Sequence, residues 1–172
     1  MQTRTVEIEL NGKACSRTVP VNQTLASLLR EGFGLSTSIA CGEGNCGTCS
    51  VLIDGRPVRS CLLLAVQASG RAVTTLEGLG DQLPRLQKAF SENHAIQCCF
   101  CAPGFMIAAA SLLRSCSKPS EVEIREAIKG HLCRCSGYSG FVSAVLQAAT
   151  EDAANEQAIP EKSPHVVSLT RA

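Results

Sequence analysis

Residues 41–49 read CGEGNCGTC, and a fourth cysteine, Cys61, follows after eleven more positions. Cys41, Cys46 and Cys49 keep the C-x4-C-x2-C spacing of plant-type two-iron clusters. Four thiolates around two irons and two sulfides leave the assembly negatively charged, and an added electron makes it more so. That charge needs screening by donors that do not themselves ligate. Backbone N–H groups serve if the chain can curl, and Gly42, Gly44 and Gly47 supply the positive φ and the side-chain-free approach. Zinc sites more often pair cysteines as two C-x2-C knuckles, which this stretch does not do. The flanking sequence completes the set. SVLI (50–53) and RPVRSC (56–61) surround Asp54-Gly55, a hairpin signal, and the returning strand delivers Cys61 as the fourth ligand.

Working outward, residues 5–10 (TVEIEL) alternate as a half-buried strand, Asn11-Gly12 marks a tight turn, and ACSRTV (14–19) returns. Asn22 or Thr24 can cap a helix carrying Leu25, Leu28 and Leu29, which Gly32 would stop. RAVTTLEG (71–78) is a last short strand. Strands with a single helix make a small α+β unit. Beyond Leu83 the period changes to 3.6. The stripes are Leu83/Leu86/Phe90, Phe105/Ala109/Leu112/Leu113, Ile124/Ala127/Ile128 and Phe141/Val145/Leu146. Ser120 and Glu123 form a capping box for the third. Four such helices with short connections point to an antiparallel bundle. The expected units are residues 1–78, residues 79–151 after a linker at Gly78-Leu79-Gly80, and a tail over 152–172.

Composition bounds the function. The chain has 172 residues and a net charge of +1, with no dense basic run, which excludes a nucleic-acid footprint. Eleven cysteines, an odd number and mostly clustered, stand behind an N-terminus (MQTRTVEIEL) lacking a signal-peptide core. Clustered thiols in a chain expected in the cytoplasm point to metal rather than disulfides. The longest weakly polar stretch, CCFCAPGFMIAAASLL, carries Pro103 and Gly104 and suits a buried helix better than a membrane span.

A second set of thiols lies in the helical half: Cys98 and Cys101 as C-x2-C, Cys133 and Cys135 as C-x-C. CFCAPGFMIAAASLL and CRCSGYSGFVSAVLQ each run from a cysteine pair through small turn residues into a helix. Helix N-termini favour an anionic cluster. Two such helices side by side would hold four thiolates at one end of the bundle. Structural zinc on four cysteines is the alternative for this set.

Taken together, ACGEGNCGTCSVLIDG, SCLLLA, VTTLEGL, IQCCFCAPG and HLCRCSGY resemble the iron–sulfur subunit of the molybdenum hydroxylases, the xanthine oxidase and carbon monoxide dehydrogenase family. The resemblance spans residues 4–150 in unbroken order. It implies a β-grasp ferredoxin-like domain followed by a four-helix domain, each with one [2Fe-2S] cluster. It implies a large subunit carrying molybdopterin, as the cytosine dinucleotide, a medium subunit carrying FAD, and a dimer of heterotrimers. By the same resemblance Cys98, Cys101, Cys133 and Cys135 ligate the cluster nearer molybdenum, and Cys41, Cys46, Cys49 and Cys61 the one nearer flavin. Gln97 and Cys135 match the positions that lie against the pterin. Two departures stand out: Cys99 replaces the family's glycine, and His131 its frequent asparagine. His131 could donate a hydrogen bond near the cluster, but packing or facing solvent is the favoured reading, and Cys15 and Cys116 are read as buried, inert thiols.

The expected role is therefore electron transfer within a multisubunit oxidoreductase, with no acid–base catalytic residue here. The rivals are a free-standing ferredoxin, which leaves the second thiol set and Gln97 without purpose, and a zinc-stabilised interaction module.

Overall fold

A computed structural model describes residues 2–155. Five strands, β1 (Thr3–Leu10), β2 (Lys13–Pro20), β3 (Ser50–Ile53), β4 (Arg56–Arg59) and β5 (Ala72–Thr74), form one mixed sheet in the order β2-β1-β5-β3-β4. β1 pairs antiparallel with β2 and parallel with β5, while β3 is antiparallel to both β4 and β5. Helix α1 (Leu25–Ser27) runs into a wider π turn over Leu28–Gly32, with Thr24 as its cap, accepting from the Ser27 N–H at 3.2 Å. Four helices follow: α2 (Gln82–Glu92), α3 (Ala102–Ser115), α4 (Glu121–Ile128) and α5 (Ser139–Asn155). The expected capping box is formed at α4, where Ser120 and Glu123 exchange hydrogen bonds.

The alternation in β1 buries Val6, Ile8 and Leu10 against α1, β3 and β5. β3 is buried on both faces, which explains why SVLI does not alternate. Val51 and Ile53 enter the core of the sheet unit, whereas Leu52 enters the helical core. Ser50, two residues before Leu52, shares its face and points the same way. The two cores thus meet across a single strand. At the centre of the helical core lies α3, nearly all buried, where small residues at Gly104 and Ala108–Ala110 let its neighbours approach. Its Phe105 stacks on Phe141 of α5 with ring centroids 3.9 Å apart.

The structure departs from the sequence reading at several points. β5 is only three residues long, and 76–78 forms a short 3-10 turn instead of continuing the strand. Leu146 lies outside the core and Ala127 and Leu83 at its edge, because each helix buries a narrower stripe than its apolar content allows. Cys15 and Cys116 are half-buried: β2 is an edge strand, and Cys116 caps the exposed end of α3. Helix α5 continues to Asn155, past the expected boundary at 151, since Asp152-Ala153-Ala154 contains nothing that stops a helix. The rest of the expected tail lies outside the described residues.

The Asn11 turn does more than reverse the chain. Its backbone is left-handed (φ 51°), and its amide bonds the Thr75 N–H (2.9 Å) and Thr75 Oγ1 (3.0 Å) directly after β5. Asn11→Ala removes both bonds and places a residue less tolerant of positive φ there. The expected loss is about 2 kcal/mol in urea unfolding. A change below roughly 0.5 kcal/mol, the range of ordinary surface substitutions, would show the contact to be incidental.

Candidate metal centres

The first thiol set sits on the loop between α1 and β3 together with the turn after β4. Gly42, Gly44 and Gly47 all have positive φ (69°, 79° and 74°), and the loop curls as the sequence requires. The Cys41 sulfur accepts from the backbone N–H groups of Glu43 and Cys46, each at 3.4 Å. These donors pull the Cys41 thiol down to about 6, so it is readily a thiolate near neutral pH. Cys61 is tied to Cys49 through Ser60, whose hydroxyl donates to the Cys49 carbonyl at 2.6 Å. Burial, followed by the adjoining Cys49 thiol, pushes Cys61 up to about 11. Within the set Cys46 bears on Cys41, while Cys49 and then Cys41 bear on Cys61.

The second set joins the turn before α3 to the loop between α4 and α5. Cys98 and Cys135 sulfurs stand 3.7 Å apart, and Cys101 meets Cys133. Burial, then the Cys133 thiol, pushes Cys101 up to about 12. At Cys133 burial acts upward, but hydrogen bonds from the Ser136 hydroxyl and from the N–H groups of Ser136 and Cys135 outweigh it and lower the thiol. These screening donors come from the loop itself and not from the first turn of α5, as the helix-terminus argument had it. The loop is fastened by the Cys133 N–H, which donates to the Tyr138 hydroxyl at 3.1 Å.

Cys99 stands apart from these thiols. Its sulfur faces the Gln97 carbonyl at 3.8 Å, and its φ is +65°, the left-handed region that glycine occupies without cost. The backbone at this position therefore retains a conformation suited to glycine. Gln97 is exposed and donates through Nε2 to the Cys135 carbonyl at 3.3 Å, which brings these two predicted residues together.

Both sets fit a two-iron cluster. Each iron of such a cluster takes two thiolates, and the thiols meet in pairs with N–H donors aimed at sulfur.

Sequence reasoning missed the junction between the sets. His131 is buried (3% exposed) with its ring against Phe105, and its Nε2 lies 3.0 Å from Ser50 Oγ. Burial, then the nearby Arg59 charge, lowers His131 to about 4 and keeps it neutral. Arg59 donates to Ser50 Oγ (2.9 Å) and to the Gly130 carbonyl (2.7 Å). The Leu132 N–H donates to the Cys46 carbonyl at 2.9 Å. Nothing in the strand RPVR marks Arg59 for such a contact; only its place beside β3 does.

Two family models match successive stretches of the chain. A 2Fe-2S iron–sulfur cluster binding domain matches residues 8–74, and a [2Fe-2S] binding domain matches 75–146. The nicotine 6-hydroxylase small subunit of Paenarthrobacter nicotinovorans is 44% identical over 145 residues, 83% of this chain and 88% of that protein. The chain belongs to the iron–sulfur subunits of the molybdenum hydroxylases. Like other such subunits it is an electron-transferring component of an oxidoreductase. A solved quinoline 2-oxidoreductase from Pseudomonas putida 86 superposes on this iron–sulfur subunit with TM-score 0.84 and 42% identity, covering 92% of this chain and all (100%) of the matched one. The aldehyde oxidoreductase from Desulfovibrio desulfuricans ATCC 27774 superposes with TM-score 0.83 and 38% identity, covering 87% of this chain but 17% of its own.

Proposed function

We propose that this iron–sulfur subunit holds one [2Fe-2S] cluster on Cys41, Cys46, Cys49 and Cys61 and a second on Cys98, Cys101, Cys133 and Cys135. It would relay electrons from molybdopterin in a large partner subunit to FAD in a medium one. The observation that carries this reading is the set of backbone N–H donors aimed at Cys41 and Cys133, with the Cys98 and Cys135 sulfurs brought together beside the second. When bound, each cluster takes up and gives back one electron, so the two electrons of a substrate oxidation leave singly. The chain's own residues hold the sulfurs, screen their charge and set their spacing. Gln97 and Cys135 would face the pterin, which the resemblance implies is the cytosine dinucleotide.

The division at 78–79, with a β-grasp unit before it and a four-helix bundle over 79–151, is part of this reading. So are the cytoplasmic location and the dimer of heterotrimers. Two observations support docking against partners. Leu62, next to Cys61, is 63% exposed, and Phe100 and Leu132, next to the second set, are 51% and 55% exposed. Apolar side chains at the rim of both thiol sets suit faces that are covered in an assembly. Relatives are themselves named as subunits, and among the described residues no helix is long and apolar enough to cross a membrane.

Metal analysis of the full chain, produced with adequate iron, tests the proposal. We expect about four irons and about four acid-labile sulfides per chain with negligible zinc, from two complete four-thiolate sets. Half that iron would remove one cluster. Stoichiometric zinc would favour a structural site in its place.

A further inference from the structure

The segment Gly130-His131-Leu132 crosses from the helical region onto the first cysteine loop, where polar contacts hold it beside the packing of the His131 ring on Phe105. The Leu132 side chain is 55% exposed, while its N–H reaches the Cys46 carbonyl at 2.9 Å. Cys46 belongs to one thiol set, and Leu132 adjoins Cys133 of the other. One hydrogen bond and two peptide units thus connect the two candidate centres.

Three side chains fix this bond. Ser50 Oγ has one proton and gives it to the Gly47 carbonyl at 2.7 Å, so it can only accept from its other partners. Arg59 Nη1 donates to it at 2.9 Å, and His131 Nε2 at 3.0 Å must therefore carry the imidazole proton. Arg59 Nη2 meanwhile holds the Gly130 carbonyl at 2.7 Å. Ser50 is 5% exposed and His131 3%, so the bond between them is shielded from water, while the two Arg59 bonds are partly buried. A Cβ on Gly47 would meet the His131 ring at 2.6 Å and the Gly130 carbonyl at 2.7 Å, so the two segments are in direct contact.

We propose that Arg59, Ser50 and His131 are positioning residues: their clamp holds the Leu132 N–H on the Cys46 carbonyl and so sets the separation across which an electron passes between the two cysteine sets. The step moves one electron from the helical-region centre to the sheet-unit centre, with no bond broken and no proton transferred. The inference rests on the two-cluster reading above.

The test uses the full chain loaded with iron and reduced by dithionite, as wild type and as Arg59→Ala, Arg59→Lys and His131→Ala. Low-temperature electron paramagnetic resonance reads both the signal of each centre and the magnetic splitting between them. Hydrogen–deuterium exchange reads the Leu132 amide. All three variants should keep both signals and wild-type iron content, yet lose or narrow the splitting. Their Leu132 amide should exchange about tenfold faster, as expected for one freed hydrogen bond. Lysine keeps the charge but offers one nitrogen on a shorter stem in place of the two that reach Ser50 and Gly130 separately, so full recovery in Arg59→Lys would assign the effect to charge and overturn the positioning role. Unchanged splitting and exchange in loaded Arg59→Ala would overturn it too. Should His131→Ala fail to fold, half-buried Arg59 carries the test alone. A wild type without two iron–sulfur signals would instead refute the two-cluster reading, and the inference with it.

Discussion

Replacing Gly47 by alanine is expected to destabilise the protein by about 2–5 kcal/mol, a large part of the roughly 5–15 kcal/mol that holds a domain folded. Two costs add. Gly47 has φ +74°, where a Cβ costs about 1–2 kcal/mol. That Cβ would also sit 2.6 Å from His131 Cδ2 and 2.7 Å from the Gly130 carbonyl oxygen. One of these neighbours is backbone, so it cannot simply rotate away, and overpacking of this kind costs about 1–3 kcal/mol. Because Gly47 lies between Cys46 and Cys49, the strain falls on the cluster loop, and iron should be lost from the first set before the second. Gly55→Ala is the control, since it shares the left-handed backbone (φ +80°) but has nothing within 4 Å of the added atom. The variants differ by the overpacking cost alone, so thermal unfolding of the two in loaded form should separate them by roughly 2–12 °C, at about 2–4 °C per kcal/mol for a chain of this size. Equal melting temperatures would mean that the two halves do not touch at Gly47.

The second large effect separates the neighbouring cysteines of QCCFC. Cys98→Ala should leave the helical set with three thiolates and cost about two of the four irons, together with one of the two paramagnetic signals. Cys99→Gly should keep all the iron. It also removes a Cβ from a backbone at φ +65°, so the variant should be as stable as wild type or up to about 1 kcal/mol more so. The geometry behind this is plain: Cys98 sulfur meets Cys135 at 3.7 Å, while Cys99 turns toward the Gln97 carbonyl. Iron content and unfolding midpoints of the two variants decide it. Loss of iron from Cys99→Gly with retention in Cys98→Ala would reverse the assignment.

Much of this protein is legible along the chain because its signals are local. The Asn11-Gly12 and Asp54-Gly55 turns lie where the hairpins form, Thr24, one of two candidates with Asn22, caps α1, Ser120 caps α4 as read, and the period change near Leu83 marks the start of the helical region. The spacing CGEGNCGTC by itself determined the loop curl, since three glycines at positive φ and a thiol receiving backbone N–H groups are properties of a short segment. What only the tertiary structure decided is how the two halves are joined. The sequence offered His131 as a packing or surface residue, or as a hydrogen-bond donor near the cluster, with no partner named, and Arg59 and Ser50 carried no signal at all. Their roles arise because β3 is covered on both faces, which turns Ser50 and Leu52 toward the helices and brings positions 71 and 81 residues distant in sequence, Gly130 from Arg59 and His131 from Ser50, into hydrogen-bond contact. Turn chemistry and helical periodicity act within a few residues, whereas burial of a polar group depends on which surface folds over it. That surface is set by the packing of one core on another, and no local stretch of sequence records it.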